Sequence, residues 1–191
     1  GENKTGDLID NWRIVVDTIN SNSYTANWQI KTQTWDLLPP GTSYITVKVF
    51  DNALNQAEVT DAFYIRKDTS PPVITDNQTG DDVWRSSNTA TYNIDYSDVG
   101  SLLDYAQYKI VSGTGGVIVD WYTYASGINS NSYTTNFSLL TSHFNLLPSS
   151  YNYVSVKAVD NLGNTEILNN AFYIKKDTVS PIVEDLQEGD T

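Results

Sequence analysis

The chain contains no cysteine and no methionine. Without thiols it forms neither a disulfide nor a thiolate zinc site, and it has no sulfur nucleophile. A single histidine, His143, excludes a zinc centre built from several imidazoles. Positive charge is scarce as well. Eleven Lys and Arg stand against 23 Asp and Glu, a formal net charge of −12 over 191 residues. Such a chain is a poor partner for nucleic acid, whose phosphates need Lys and Arg to neutralise them. No apolar run approaches the roughly 20 residues of a membrane-spanning helix, and no signal-peptide pattern is visible. Long helical patterns are missing too: no extended stretch sets apolar residues at i, i+3, i+4 and i+7.

What is present is Asn, Ser and Thr together with 13 Tyr and 5 Trp. Thr, Tyr and Trp favour strands, whereas Asn, Ser and Gly favour turns, so the composition predicts an all-β protein. Hydrophobic content of 39% with 18% charge is that of a folded chain. The length allows one or two domains.

An internal repeat organises the sequence. Ile19-Asn20-Ser21-Asn22-Ser23-Tyr24-Thr25 recurs letter for letter as Ile128-Asn129-Ser130-Asn131-Ser132-Tyr133-Thr134, an offset of 109. At the same offset, without a gap, Trp12 falls on Trp121 and Lys48 on Lys157. Leu37-Leu38-Pro39 falls on Leu146-Leu147-Pro148, Asp51-Asn52 on Asp160-Asn161, and Ala62–Lys67 on Ala171–Lys176. Identity over the overlap is roughly 40%, which marks a tandem duplication. Residues 1–82 align with 110–191, so 83–109 has no counterpart in the first copy. The expected organisation is an incomplete copy over 1–69, lacking its opening strands, a complete copy over 70–179, and the register of a further first strand over 180–191. The chain thus reads as a slice of a longer array. Proline-bearing joints, Lys67-Asp68-Thr69-Ser70-Pro71-Pro72 and Lys176-Asp177-Thr178-Val179-Ser180-Pro181, are short and stiff.

The complete copy divides into about seven strands: 73–78, 90–96, 106–111, 117–124, 132–139, 153–160 and 171–175. The third and fourth form a hairpin across Ser112-Gly113-Thr114-Gly115-Gly116. In the sixth, Val154, Val156 and Ala158 share one face while Ser155 and Lys157 share the other. Seven short strands with turn signals between them predict an immunoglobulin-like sandwich.

The stretch Val154-x-Val156-x-Ala158-x-Asp160-Asn161-Leu162-Gly163-Asn164, followed by Tyr173-Ile174-Lys175-Lys176-Asp177-Thr178 and Pro181, resembles bacterial immunoglobulin-like and fibronectin type III-like repeats. So do the opening Asp68-Thr69-Ser70-Pro71-Pro72-Val73-Ile74 and the turn Asp98-Val99-Gly100-Ser101-Leu102. The first copy departs at one turn, with Asn52-Ala53-Leu54-Asn55 where the second carries glycine. The resemblance implies a place in large surface or secreted proteins such as adhesins. It also implies calcium at repeat junctions, where the ion stiffens an array.

Aspartates suit that ion, because Ca²⁺ takes six to eight oxygens from carboxylates, carbonyls and amides. Asp68 and Asp76 bracket the first joint, Asp177 and Asp185 repeat those positions at the second, and Asp51 and Asp160 end a strand. The alternative for all six is turn formation through side-chain-to-backbone bonds. Trp84, Trp121, Tyr122 and Tyr124 could stack on sugars, but the coincidence of Trp12 with Trp121 favours a core tryptophan, and Tyr122 with Tyr124 favours packing. Lys48 and Lys157 read as solvated strand lysines. A Ser-His-Asp triad would have to use His143, no Gly-x-Ser-x-Gly occurs, and no carboxylate pair sits in an evident cleft. The expected function is a non-catalytic spacer or stalk repeat of an extracellular or cell-surface protein, bacterial in type, in an adhesin or filament. Neighbouring repeats would be its partners, with head-to-tail self-association as a further expectation. The alternative is a carbohydrate-binding accessory module of a secreted enzyme or adhesin.

Overall fold

A computed structural model describes residues 6–78, 81–187 and 189, with the backbone alone at Asp81. The chain forms two compact units, Gly1–Ser70 and Pro71–Thr191. In the second unit β3 (Val73–Asp76), β5 (Ile94–Ser97) and β8 (Ser132–Tyr133) form a three-stranded sheet in the order β3-β5-β8. A five-stranded sheet runs β4-β10-β9-β6-β7, with β4 (Asp81–Arg85), β6 (Leu103–Ser112), β7 (Val117–Ser130), β9 (Tyr151–Asp160) and β10 (Thr165–Lys176). All pairings are antiparallel except β10 with β4.

Alternation decides which side chains meet between the sheets. Ile94 and Tyr96 from β5 pack into one cluster with Ala106, Tyr108 and Ile110 from β6, Val154, Val156 and Ala158 from β9, and Phe172 and Ile174 from β10. Tyrosines carry much of this core. Tyr92 stacks on Phe172 with ring centroids 4.5 Å apart, and the Tyr124 hydroxyl donates to that of Tyr96 at 2.7 Å. Burial pushes both phenols above their ordinary value, so neither is anionic and the bond between them is neutral.

The first unit holds α1 (Thr32–Leu37) and the hairpin β1 (Gly41–Phe50) with β2 (Gln56–Lys67). Each has its counterpart in the second unit: α2 (Thr141–Leu146), β9 and β10. The agreement extends to single dihedrals. Left-handed backbone occurs at Thr18, Asn20, Leu54 and Asp61, and 109 residues on at Gly127, Asn129, Gly163 and Asn170. Asp61 and Asn170 sit in matching bulges, where their N–H groups donate to Thr46 Oγ1 and Ser155 Oγ. The duplication is therefore structural.

Exposure separates the copies. Phe172 is 2% exposed and Phe63 is 38%; Ala158 is 0% and Val49 is 53%. In the second unit that face is covered by β5 and by Tyr92, which belong to the stretch without a counterpart in the first.

Several expectations change. The two helices were not expected, since a helix of six residues is too short to show periodicity. Each stops before a proline: Leu38 and Leu147 take extended backbone ahead of Pro39 and Pro148. The strand expected over 132–139 is confined to β8, followed by a Tyr92–Phe137 bridge, and that over 90–96 is shortened to β5. β10 begins six residues before the expected 171, and β4 is an unexpected edge strand. The described residues of 180–191 lie outside any strand, with Ile182, Val183 and Leu186 exposed, while 188, 190 and 191 fall outside the described residues.

Lys176 ties the second unit together. Its Nζ, at the end of β10, donates to the carbonyls of Phe144, Asn145 and Leu147 at 3.1, 3.1 and 2.8 Å. Those are carbonyls at the C-terminal end of α2, which carry the negative end of the peptide dipoles; that of Phe144 also accepts from the Leu147 N–H, so there the ammonium is a second donor. Lys67 does the same in the first unit, donating to Trp35 at 3.0 Å and Leu38 at 2.8 Å. Because Lys176 is buried, replacing it with Met should cost about 3 kcal/mol of stability in urea titrations, through orphaned carbonyls and lost charge-assisted bonds. The same change at the more exposed Lys67 should cost less.

Candidate functional site

The six aspartates singled out as cation ligands share one local geometry. Each accepts a hydrogen bond from the backbone N–H two residues on: Asp51 from Ala53, Asp68 from Ser70, Asp76 from Gln78, Asp160 from Leu162, Asp177 from Val179 and Asp185 from Gln187. This is the Asx turn, which lets the chain reverse while satisfying its own donors. Asp51 and Asp160 go further. Their carboxylates also take the N–H and the side-chain amide of Asn55 and Asn164 respectively, so the β1–β2 and β9–β10 turns are built alike.

Within the second unit two of the aspartate carboxylates come together. Asp160 and Asp98 are both buried, with carboxylate oxygens within 4.8 Å of each other. A single Ca²⁺, with Ca–O distances of about 2.4 Å, would span that gap. Asp98 was read only as a turn residue; its position just after β5, as Asp160 ends β9, was the signal available. Their hydrogen-bond donors are turn groups: Leu102 N–H bonds to Asp98, and Asn164, Leu162 and Ser101 bond to Asp160. Burial pushes the Asp160 carboxyl up, but the hydrogen bonds from Asn164, Ser101 and Leu162 outweigh it and hold the group below its ordinary 3.8. Asp76, with less hydrogen bonding, is raised by burial. Asp76, Asp177 and Asp185 do not join the Asp98–Asp160 pair.

A second feature lies on the outer face of the five-stranded sheet. Trp84 meets Tyr151 edge-on at 5.8 Å, Tyr151 meets Tyr173 at 5.6 Å, and Tyr173 meets Tyr153 at 6.3 Å. Lys175 Nζ lies 5.8, 5.3 and 5.9 Å from the rings of Trp84, Tyr151 and Tyr173. The Tyr173 hydroxyl donates to Asp82 at 2.6 Å, and Lys175 pairs with the same carboxylate at 3.0 Å. Hydrogen bonds from Tyr173 and Lys175 hold the Asp82 carboxyl low, and the bond to Asp82 raises Lys175. Across the same sheet Lys157 Nζ sits 4.5 Å from the centre of Trp121, and burial lowers its affinity for a proton. The first unit has its own version, with Lys48 4.3 Å over Trp12, Tyr44 6.1 Å from Tyr64, and Arg66 over Tyr64.

This arrangement corrects the reading of the tryptophans as core residues. Trp12 is 54% exposed, and Trp121 lies outside the buried cluster. The cause is a slip in β7. Its register shifts between the pairs Ile110–Val119 and Tyr108–Tyr122, so Val119 and Tyr122 both face inward and Trp121 turns out. Lys48 and Lys157 likewise are stacked rather than simply solvated; Lys48 also pairs with Glu58 at 3.0 Å. Tyr122 and Tyr124 pack against the core, as expected. His143 packs edge-on against Tyr122, and its Nδ1 meets the Tyr108 hydroxyl at 2.7 Å, which makes it part of an aromatic contact. No protein-family model matches the chain, and no curated protein matches it.

The turn geometry gives a paired prediction. Asp160→Ala should cost about 2 kcal/mol, more than Asp51→Ala at its exposed turn, and equally with chelator or with millimolar calcium. A loss seen only with calcium would make Asp160 a ligand instead. Because its folded value is depressed, Asp160 contributes stability that is fully present above 3.8 and is lost as pH falls below it. The acid limb of the stability–pH curve should therefore flatten in Asp160→Ala.

Proposed function

We propose that the chain is a non-catalytic structural segment: tandem immunoglobulin-like repeats that serve as a spacer or stalk in an extracellular surface, adhesin or filament protein of bacterial type. The observation that carries this reading is what the duplication preserves. Shared by both copies are scaffold devices: the lysine on the helix carbonyls, the Asp-Asn turn, the bulge and the left-handed positions. His143, which chemistry could use, is not shared, since the first copy has Thr34 in its place. A spacer needs a reproducible shape more than a reproducible pocket. The net charge of −12 favours solubility and discourages collapse of neighbours onto one another. Its partners in this reading are neighbouring repeats.

A second reading has its own observation. The half-exposed Trp84 and Tyr151 with Tyr173, Lys175 and Asp82 form an aromatic platform with polar groups beside it, which is the chemistry of sugar recognition. Two measurements separate the readings. Stretched singly, a spacer should yield in a discrete force step as the second unit opens, and it should leave a glycan array blank. Binding to one glycan class that Trp84→Ala abolishes would instead make the chain a carbohydrate-binding module.

A further inference from the structure

Among the described residues, β4 with β10 is the one parallel strand pair of the second unit. The two strands also bracket most of that unit in sequence: β5 to β9 and α2 all lie in the chain between them. Main-chain partners are Ile174 with Asp81, Lys175 with Trp84 and Lys176 with Arg85. Just past the strands, the Asp177 N–H donates to the Arg85 carbonyl at 3.0 Å. The register shifts between the first two of these pairs, and there the Asp82 carboxylate takes hydrogen bonds from the Tyr173 hydroxyl at 2.6 Å and the Lys175 ammonium at 3.0 Å. Those bonds join residues 91 and 93 positions apart. Trp84 adds an edge-on contact with Tyr151 of β9 and a cation–aromatic contact with Lys175. A five-residue edge strand is thus fastened by side chains as well as by its ladder.

Parallel pairing decides what tension along the chain does here. The chain enters the pair at the start of β4 and leaves it at the end of β10, and in a parallel pair those points lie at opposite ends of the ribbon. A pull therefore slides one strand past the other and loads every bond between them at once. Antiparallel strands would be gripped at one end and peeled, one bond at a time. Load that enters at β4 crosses directly to β10, so residues 86–172 carry none until the pair parts. We propose that the β4–β10 pair is a shear latch, which bears tension for the second unit, with Asp82, Tyr173, Lys175 and Trp84 as its side-chain fastening. Its purpose rests on the spacer reading. It also gives the outer-face cluster a task, the holding of one strand on another, that needs no ligand.

The test is single-molecule force spectroscopy on the whole chain. Because the chain has no cysteine, two introduced thiols are its only handles. Gln78→Cys with Val179→Cys loads the pair in shear, whereas Ser86→Cys with Val179→Cys peels it from the Arg85 end. At one loading rate the shear geometry should yield at about twice the peeling force or more, since forced unfolding follows the rate of barrier crossing. In shear at fixed force, Asp82→Ala and Tyr173→Phe should each speed unfolding about fivefold or more, and in peeling they should change it little. Equal forces in the two geometries, each with a discrete step, overturn the latch and leave the spacer reading standing. So does an unchanged rate in both variants. Variants that speed both geometries alike also overturn it, because Asp82 and Tyr173 would then only stabilise the fold. No discrete step in either geometry overturns latch and spacer together. A glycan bound through Trp84 removes the spacer reading alone, and the ratio of the two forces still decides the latch.

Discussion

A lysine ammonium on helix-end carbonyls is the constraint around which each copy is arranged. Lys176 ends β10, and the carbonyls it binds end α2, about 30 residues earlier in the chain. Closing that loop fixes where β9 starts and therefore the register of the β9–β10 hairpin. The helix has only six residues and no side-chain N-cap bond, so it is not self-supporting; the ammonium replaces the turns it does not have. Lys67 and α1 make the same closure in the first copy, with its own helix and hairpin.

How much of this was legible in the sequence depended on whether the signal was local or repeated. The β6–β7 hairpin and the alternation Val154-Val156-Ala158 were readable because turn residues and period-two patterns are short-range signals. The duplication was readable because it needs no physics at all. Trp121 was misplaced because a bulge reverses facing without changing composition. β4 went unseen because its Asp81-Asp82-Val83-Trp84-Arg85 has no alternation, and an edge strand needs only one partner. Of the candidate site, the aspartates were legible as turn formers. That Asp98 approaches Asp160 was not, because the two lie 62 residues apart in sequence and meet only when β5 and β9 pack.

The outer faces show how a sheet with few positive charges uses them. Four of the six cation–aromatic pairs that involve Lys48, Arg66, Lys157 or Lys175 place a strand cation beside a ring on its own or a neighbouring strand; Lys157 reaches Trp121 across β6, and Lys48 reaches Trp12 on an unpaired segment. Such contacts cover the aliphatic stems and leave the charge at the surface, where it limits adhesion between sheets. The same stacking makes a platform that a sugar ring could share, which is why scaffold and binding readings meet on one face.

The left-handed positions kept in step by the uninterrupted offset have a genetic corollary. The identical heptapeptides Ile19–Thr25 and Ile128–Thr134 are natural points for unequal crossing-over. An exchange that joins residue 133 to residue 25 lengthens the chain by 133 − 24 = 109 residues. It sets the opening strands of the second copy before the helix, hairpin, Asp51 turn and Lys67 of the first. Every bulge and left-handed residue would arrive in its place, because Asp61 and Leu54 already hold the backbone of Asn170 and Gly163. Reach could then change by whole repeats through recombination alone, with no new fold to be found at the seam.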